Sequence, residues 1–112
     1  MRPISSIQNL AEMDLHDAEL LSVEFHIMER RCLFRLKIFE SSDTRDRVGV
    51  LLSFDGVDNC FGSLDFNSLI SNARWGNVAN CRVDIDRKVV RLYLADGLLE
   101  VKADSIMLVA DR

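Results

Sequence analysis

The side chains with the greatest catalytic potential in this chain are His16, His26, Cys32, Cys60 and Cys81. His16 stands beside Asp17, and phosphohydrolases use an adjacent His-Asp pair to hold a metal ion when further ligands complete the site. No third nitrogen ligand follows at a useful spacing, so we expect no metal here. The pair is instead expected to form a turn or strand entry, in which Asp17 accepts backbone N–H bonds and His16 orients it.

A cysteine nucleophile activated by a histidine is the second possibility. No local catalytic signature surrounds any of the three cysteines. Cys32 and Cys81 lie inside apolar runs, which is typical of buried, reduced thiols. An odd number of cysteines without close spacing also predicts no disulfide framework.

Carboxylates form the third group. Asp55, Asp58 and Asp65 are spread across a predicted turn and the start of a predicted helix. Turn and cap chemistry explains them without catalysis. The chain also lacks a phosphate-binding glycine loop and a Gly-x-Ser-x-Gly elbow.

Asp84 and Asp86 stand two residues apart on a predicted strand and therefore on one face. They could attract a cation or a basic partner. Basic residues on the same and neighbouring strands, such as Arg82, Arg91 and Lys102, are the simpler partners.

Trp75 is the single tryptophan and lies between Arg74 and Gly76 in an irregular segment. Two roles are open to it. It packs against the open end of the sheet, which is the commoner role, or it anchors a partner.

The elements that must position these residues are mainly strands. A short helix is expected at 4–13, and another after a cap at Ser63 or Asp65. Asp55-Gly56 is expected to end the third strand, and Asp96-Gly97 to form a type I′ hairpin turn. A period of two predicts strands near residues 20–28, 32–39, 48–54, 81–86, 90–94, 99–103 and 106–109.

This pattern predicts an α+β, mostly β domain spanning residues 1–112. Six or seven antiparallel strands would form a meander, in a curled or half-barrel sheet with one or two short helices. One sheet face would be apolar and the other a mixed-charge face that includes Arg91 and Tyr93. No internal repeat is apparent.

Composition limits the function classes. The chain has 112 residues, a net charge of −4 and 48% hydrophobic residues, which is a normal balance for a folded domain and excludes a disordered one. Basic residues are scattered, so we expect no nucleic-acid partner. No signal core or membrane-length apolar run is present, so we expect a soluble cytoplasmic protein.

Three segments together resemble a known family. They are residues 15–25 (LHDAELLSVEF), 50–70 (VLLSFDGVDNCFGSLDFNSLI) and 90–109 (VRLYLADGLLEVKADSIMLV). Their order is similar to that of small bacterial proteins of the Immunity protein 50 type. The resemblance implies a non-enzymatic protein, without catalytic residues or cofactor, that neutralises a cognate toxin by binding it. His16, Asp17 and the Asp96-Gly97 hairpin match the pattern, and their role in it is structural.

The leading hypothesis is therefore a protein-binding domain, most concretely an immunity protein. The alternative is a small-molecule-binding or enzymatic curled sheet with a pocket near Phe61, Phe66 and Trp75. A homodimer is a further possibility. The residues we expect to contact a partner are Asp55, Asp58, Asp84, Asp86, Arg91 and Tyr93.

Overall fold

The computed structural model describes residues 15–39 and 46–110. The helix expected at 4–13 and most of the expected loop at 40–46 lie outside them. The described residues form six strands and one helix in the order β1 (Glu19–His26), β2 (Arg31–Ile38), β3 (Val48–Ser63), α1 (Phe66–Asn72), β4 (Val78–Asp84), β5 (Val89–Leu94) and β6 (Gly97–Ala110).

The six strands form one antiparallel sheet in the order β1-β2-β3-β6-β5-β4. The α+β, mostly β class expected from the sequence is confirmed. The chain makes two three-stranded meanders joined through β3 and β6, rather than one continuous meander. The sheet is also open and not curled into a half-barrel, because β1 and β4 remain its two edges and share no ladder.

β3 and β6 are much longer than the sequence pattern indicated. β3 does not end at Asp55-Gly56, because Gly56 continues the strand with a left-handed φ of 63° and Val57 pairs with Ala103. The turn expected at 103–105 is likewise absent, since Asp55 pairs with Ser105 within the same ladder. Two expected strands thus merge into β6, which leaves six among the described residues rather than seven.

The two meanders are built alike. The register shifts at Leu20/Ser22 in β1 and at Val78/Asn80 in β4. The four-residue turns that follow β1 and β4 end at Arg30 and Lys88, with φ of 53° and 57°. The register shift and the turn of the second meander each follow their counterparts in the first meander by the same number of residues, although the residue types rarely match. This is an internal structural repeat that the sequence did not reveal.

The repeat converges on the middle of the β3–β6 pair. The Arg30 carbonyl accepts the Val57 N–H at 2.9 Å, and the Lys88 carbonyl accepts the Ala103 N–H at 3.2 Å. Val57 and Ala103 are themselves paired across the ladder. Both turns are therefore anchored at the same level of the two central strands, one on each side.

The inner face of the sheet holds one continuous core, as the period-two pattern predicted. Phe34 and Phe54 lie at its centre, with ring centroids 5.1 Å apart. The buried apolar strand residues are Leu20, Cys32, Phe34, Leu36, Ile38, Val50, Leu52, Phe54, Val78, Val90, Leu92, Leu94, Leu99, Val101, Ala103, Ile106 and Leu108.

Two local motifs behave differently from each other. Asp65 caps α1 as expected, because its carboxylate accepts the Ser68 N–H at 3.0 Å. The turn expected at Asp96-Gly97 lies one residue earlier. Ala95 and Asp96 form it, and Gly97 is already the first residue of β6, where it pairs with Leu94 of β5. Gly97 is required there because a Cβ would collide with the Ser63 carbonyl oxygen.

Asn77 is the one polar residue among the described residues that is almost completely buried, with 3% of its surface exposed. Its side-chain oxygen accepts the Leu20 N–H at 2.7 Å. Its amide nitrogen donates to the Leu69 carbonyl at 3.1 Å and to the Leu20 carbonyl at 3.4 Å. One side chain thus joins the start of β1 to α1 and to the strand that follows.

We expect Asn77→Ala to lower the free energy of unfolding by about 3 kcal/mol, because it leaves buried backbone groups of Leu20 and Leu69 unpaired. Urea denaturation of the purified variant measures this. Asn80→Ala is the matched control, since exposed Asn80 makes only a local bond to the Cys81 N–H. A loss no larger for Asn77→Ala than for Asn80→Ala contradicts the assignment.

Candidate functional site

His16 and Asp17 lie in the turn before β1 and fasten it to the start of β4. The Asp17 N–H donates to the Val78 carbonyl at 3.0 Å, and the Val78 N–H donates to the Ala18 carbonyl at 3.0 Å. His16 Nδ1 lies 2.8 Å from the Ala79 carbonyl oxygen, and His16 Nε2 lies 3.5 Å from the Asp17 carboxylate. The geometry of this pair is that of a clamp between the two edge strands.

The cysteines are placed for packing rather than for nucleophilic attack. The thiols of Cys32 and Cys60 lie close enough to affect each other's pKa. Burial raises the pKa of Cys60 to about 12, with the nearby Cys32 and Glu100 adding to the effect, and burial raises the pKa of Cys81 to about 11. A reactive cysteine needs the opposite shift, because the thiolate is the nucleophile.

Asp55 and Asp58 are engaged within the chain. Asp55 accepts from the Arg31 guanidinium at 2.7 Å, and Asp58 accepts from Arg30 at 2.9 Å. Arg30 also donates to the Val57 carbonyl at 3.1 Å. The two carboxylates therefore tie the β1–β2 turn to β3.

Arg91 and Tyr93 lie on the outer face of β5. The Arg91 guanidinium donates through two nitrogens to one Glu100 carboxylate oxygen, with Nε at 2.7 Å, and its third nitrogen lies 3.4 Å from the Tyr93 hydroxyl. Glu100 pairs with Arg91 in the β5–β6 register. This is a preformed cluster of charge and hydroxyl, separate from the Asp55 and Asp58 pairs.

Asp84 and Asp86 do not share a strand face as the sequence suggested. Asp84 is the last residue of β4, whereas Asp86 lies in the turn that follows. The Asp84 carboxylate accepts the Arg87 N–H at 3.2 Å and so closes that turn. The arginine nearest to Asp84 is thus in the turn rather than on a neighbouring strand.

Trp75 does not plug the end of the sheet, because 71% of its surface is exposed. It follows α1 in a turn, where its N–H donates to the Asn72 carbonyl at 3.1 Å. The Arg74 guanidinium lies over its ring, 5.1 Å from the centroid. Of the two roles left open for this residue, the packing role is wrong.

The structure brings together a surface that the sequence analysis anticipated only at Phe66, an apolar groove of about 320 Å³ between β1 and α1. We call it the β1–α1 groove; its lining includes Leu21, Ser22, Leu64, Phe66, Leu69 and Ile70. Leu21, Phe66 and Ile70 are 50%, 68% and 73% exposed. The buried Ser22 hydroxyl has no hydrogen-bond partner among the described residues.

Two signals for this groove were present in the sequence. Phe66 and Ile70 are four residues apart and so share one face of a short helix. Leu21 shares the apolar alternation of β1 but is the extra residue at its register shift, which turns it away from the core. Of the three residues near which a pocket was expected, Phe66 lines the groove, whereas Phe61 and Trp75 do not.

Comparisons with known proteins leave the geometry as the main evidence. The chain matches no protein-family model, no curated protein and no solved structure. Within residues 15–39 and 46–110, no group of three or more His, Cys, Asp or Glu side chains is arranged to hold a metal ion. In the same ranges no helix has the length and apolarity needed to span a membrane.

The cysteine environment predicts the pH dependence of alkylation. Because the pKa of Cys60 and of Cys81 lies well above the ordinary value, we expect iodoacetamide to modify the folded protein slowly at pH 7. The rate should still rise about tenfold per pH unit at pH 9, where an ordinary thiol of pKa about 8.5 is already levelling off. Mass spectrometry counts the modified thiols, and the urea-unfolded chain is the control. Rapid labelling of one thiol at pH 7 in the folded protein contradicts this environment.

Proposed function

We propose that this chain is a non-enzymatic domain that binds a partner protein in the β1–α1 groove. The observation that carries the proposal is the exposure of Leu21, Phe66 and Ile70 around one apolar depression. Apolar side chains gathered on a surface mark interaction sites far more often than singly scattered ones do. Aromatic residues such as Phe66 are typical anchors of protein interfaces.

The chemistry of the described side chains supports binding over catalysis. The thiols have raised pKa values, which disfavour the nucleophilic form. Asp55, Asp58 and Glu100 are each held by an arginine. Groups already satisfied within the chain gain little from a new partner, so Arg91 and Tyr93 are weaker candidates for the contact than the groove.

The finer proposal is that the partner is a toxin domain and that this chain is its immunity protein. Its support is the resemblance of residues 15–25, 50–70 and 90–109 to small immunity proteins of bacteria. The net charge of −4 suits a basic partner. In this proposal the partner inserts an apolar side chain into the groove, and the bound immunity protein then covers the active site of the toxin.

A small apolar ligand is the second candidate for the same groove. The volume of about 320 Å³ lies at the lower end of the range for ligand pockets, and the unpartnered Ser22 hydroxyl would orient such a ligand. An open depression lined by half-exposed side chains favours a protein, because a ligand there would remain largely in contact with water.

Phe66→Ser tests the proposed contact. Partners are captured on the immobilised chain, identified by mass spectrometry and measured individually for affinity. We expect Phe66→Ser to weaken binding by about thirtyfold, the loss typical of a central aromatic anchor. Phe61→Ser is the matched control, because Phe61 is 56% exposed but stands beside Glu100, outside the groove.

Co-expression separates the two levels of the proposal. A partner that stops bacterial growth alone and not with the wild-type chain supports immunity, and Phe66→Ser should then fail to protect. Equal loss of affinity for Phe66→Ser and Phe61→Ser contradicts binding of the partner in the β1–α1 groove. A partner that is bound through the groove but is harmless alone supports the binding function and contradicts immunity.

A further inference from the structure

The edge of the sheet formed by β4 is open over its second half. At its start, both backbone groups of Val78 are bonded to the segment before β1. Cys81 then donates its N–H to the Asn80 side chain instead of to β5. Because backbone groups alternate between the two sides of a strand, Val83 also turns its N–H and carbonyl away from β5. No bond to these two groups is found in the described part of the chain.

The charges on the outer face of this edge are unbalanced. Arg82 stands directly opposite Arg91 in the β4–β5 register. Like charges in this position destabilise a sheet, and the neighbouring carboxylate, Glu100, is already held by Arg91. The described residues provide no ion pair or hydrogen bond for the Arg82 guanidinium.

We propose that two copies of this chain pair antiparallel through their β4 strands, with Val83 on the two-fold axis. Each Val83 N–H then donates to the Val83 carbonyl of the second copy. This register places Arg82 of each copy opposite Asp84 of the other. The two sheets become continuous across the axis, in the manner of strand addition at an exposed edge.

Charge complementarity is what selects a second copy as the occupant. A two-fold axis at Val83 brings each Arg82 to a carboxylate and repeats the ion pair twice, without any other segment. Asp84 is 51% exposed on its side chain and is bonded only through the Arg87 turn in the described residues, so it can accept a second cation. On the opposite face, Cys81 and Val83 extend the apolar side of the sheet, and Ile85 in the turn that follows is 46% exposed.

The other edge differs in its charges. On β1, Glu24 and His26 are already paired within one copy, because Glu24 contacts Arg35 at 3.4 Å and His26 at 3.5 Å. The backbone N–H and carbonyl of Leu20 are taken by the Asn77 side chain. The β4 pairing is also independent of the β1–α1 groove, so either proposal can fail alone.

Charge exchange tests the dimer with matched variants. Arg82→Asp places two carboxylates at each contact, and Asp84→Arg places two arginines there. We expect sedimentation equilibrium to show a dimer for the wild-type chain and self-association at least about tenfold weaker for either single variant. The double variant Arg82→Asp with Asp84→Arg restores opposite charges, so it should dimerise again.

Mixing provides the decisive measurement. The two single variants carry complementary charges toward each other, so an equimolar mixture should form a heterodimer although each variant alone is monomeric. Circular dichroism confirms that every variant is folded. If Asp84→Arg is not folded, because it loses the Arg87 turn contact, Arg82→Asp alone carries the test against the wild-type chain. A monomeric wild-type chain, single variants that dimerise normally, or a mixture that stays monomeric overturns the proposal.

Discussion

The hydrogen bonds of the buried Asn77 amide are the constraint on which the rest of the structure depends. A buried polar group must be paired, and here the partners are the backbone groups of Leu20 in β1 and the carbonyl of Leu69 in the middle of α1. The amide therefore bonds to β1 much as a neighbouring strand would, and it holds the helix beside the sheet edge. The β1–α1 groove exists because these two elements are held at this separation, and Asn77 forms part of its wall.

The second organising feature is the long β3–β6 pair. β3 is the last strand of one three-stranded meander and β6 is the last strand of the other. The first turn of each meander bonds to this central pair, at Val57 and at Ala103. This arrangement leaves β1 and β4 as the two edge strands, and their surroundings differ. The start of β1 is occupied by Asn77 and flanked by α1. On β4, both backbone groups of Val78, the Ala79 carbonyl and the Cys81 N–H are bonded, and the described residues provide no bond for the outward groups of Val83. One repeated architecture thus produces an apolar groove at one edge and an open, charged strand at the other.

The polar side chains support the proposal of a binding domain. Arg30, Arg31 and Arg91 each hold a carboxylate, and the His16-Asp17 pair fastens two strands. These side chains stabilise turns and registers, since exposed pairs contribute little energy but define geometry. The surfaces we propose for partners are instead the apolar groove around Phe66 and the open edge of β4 with its unbalanced arginine.

The sequence by itself determined most of the strand faces, a helix cap at Ser63 or Asp65 and the mostly β class, because these depend on periodicity and local hydrogen bonds. It placed Leu20 and Leu21 on the wrong faces, since the register shift in β1 reverses them. It could not place the ends of β3 and β6, since Gly56 and the 103–105 segment have the composition of turns and continue as strands only through their mutual pairing. Burial of Asn77, exposure of Trp75 and the placement of Leu21, Phe66 and Ile70 around one groove were likewise decided by tertiary structure. Each depends on residues distant along the chain, whose approach no local pattern encodes.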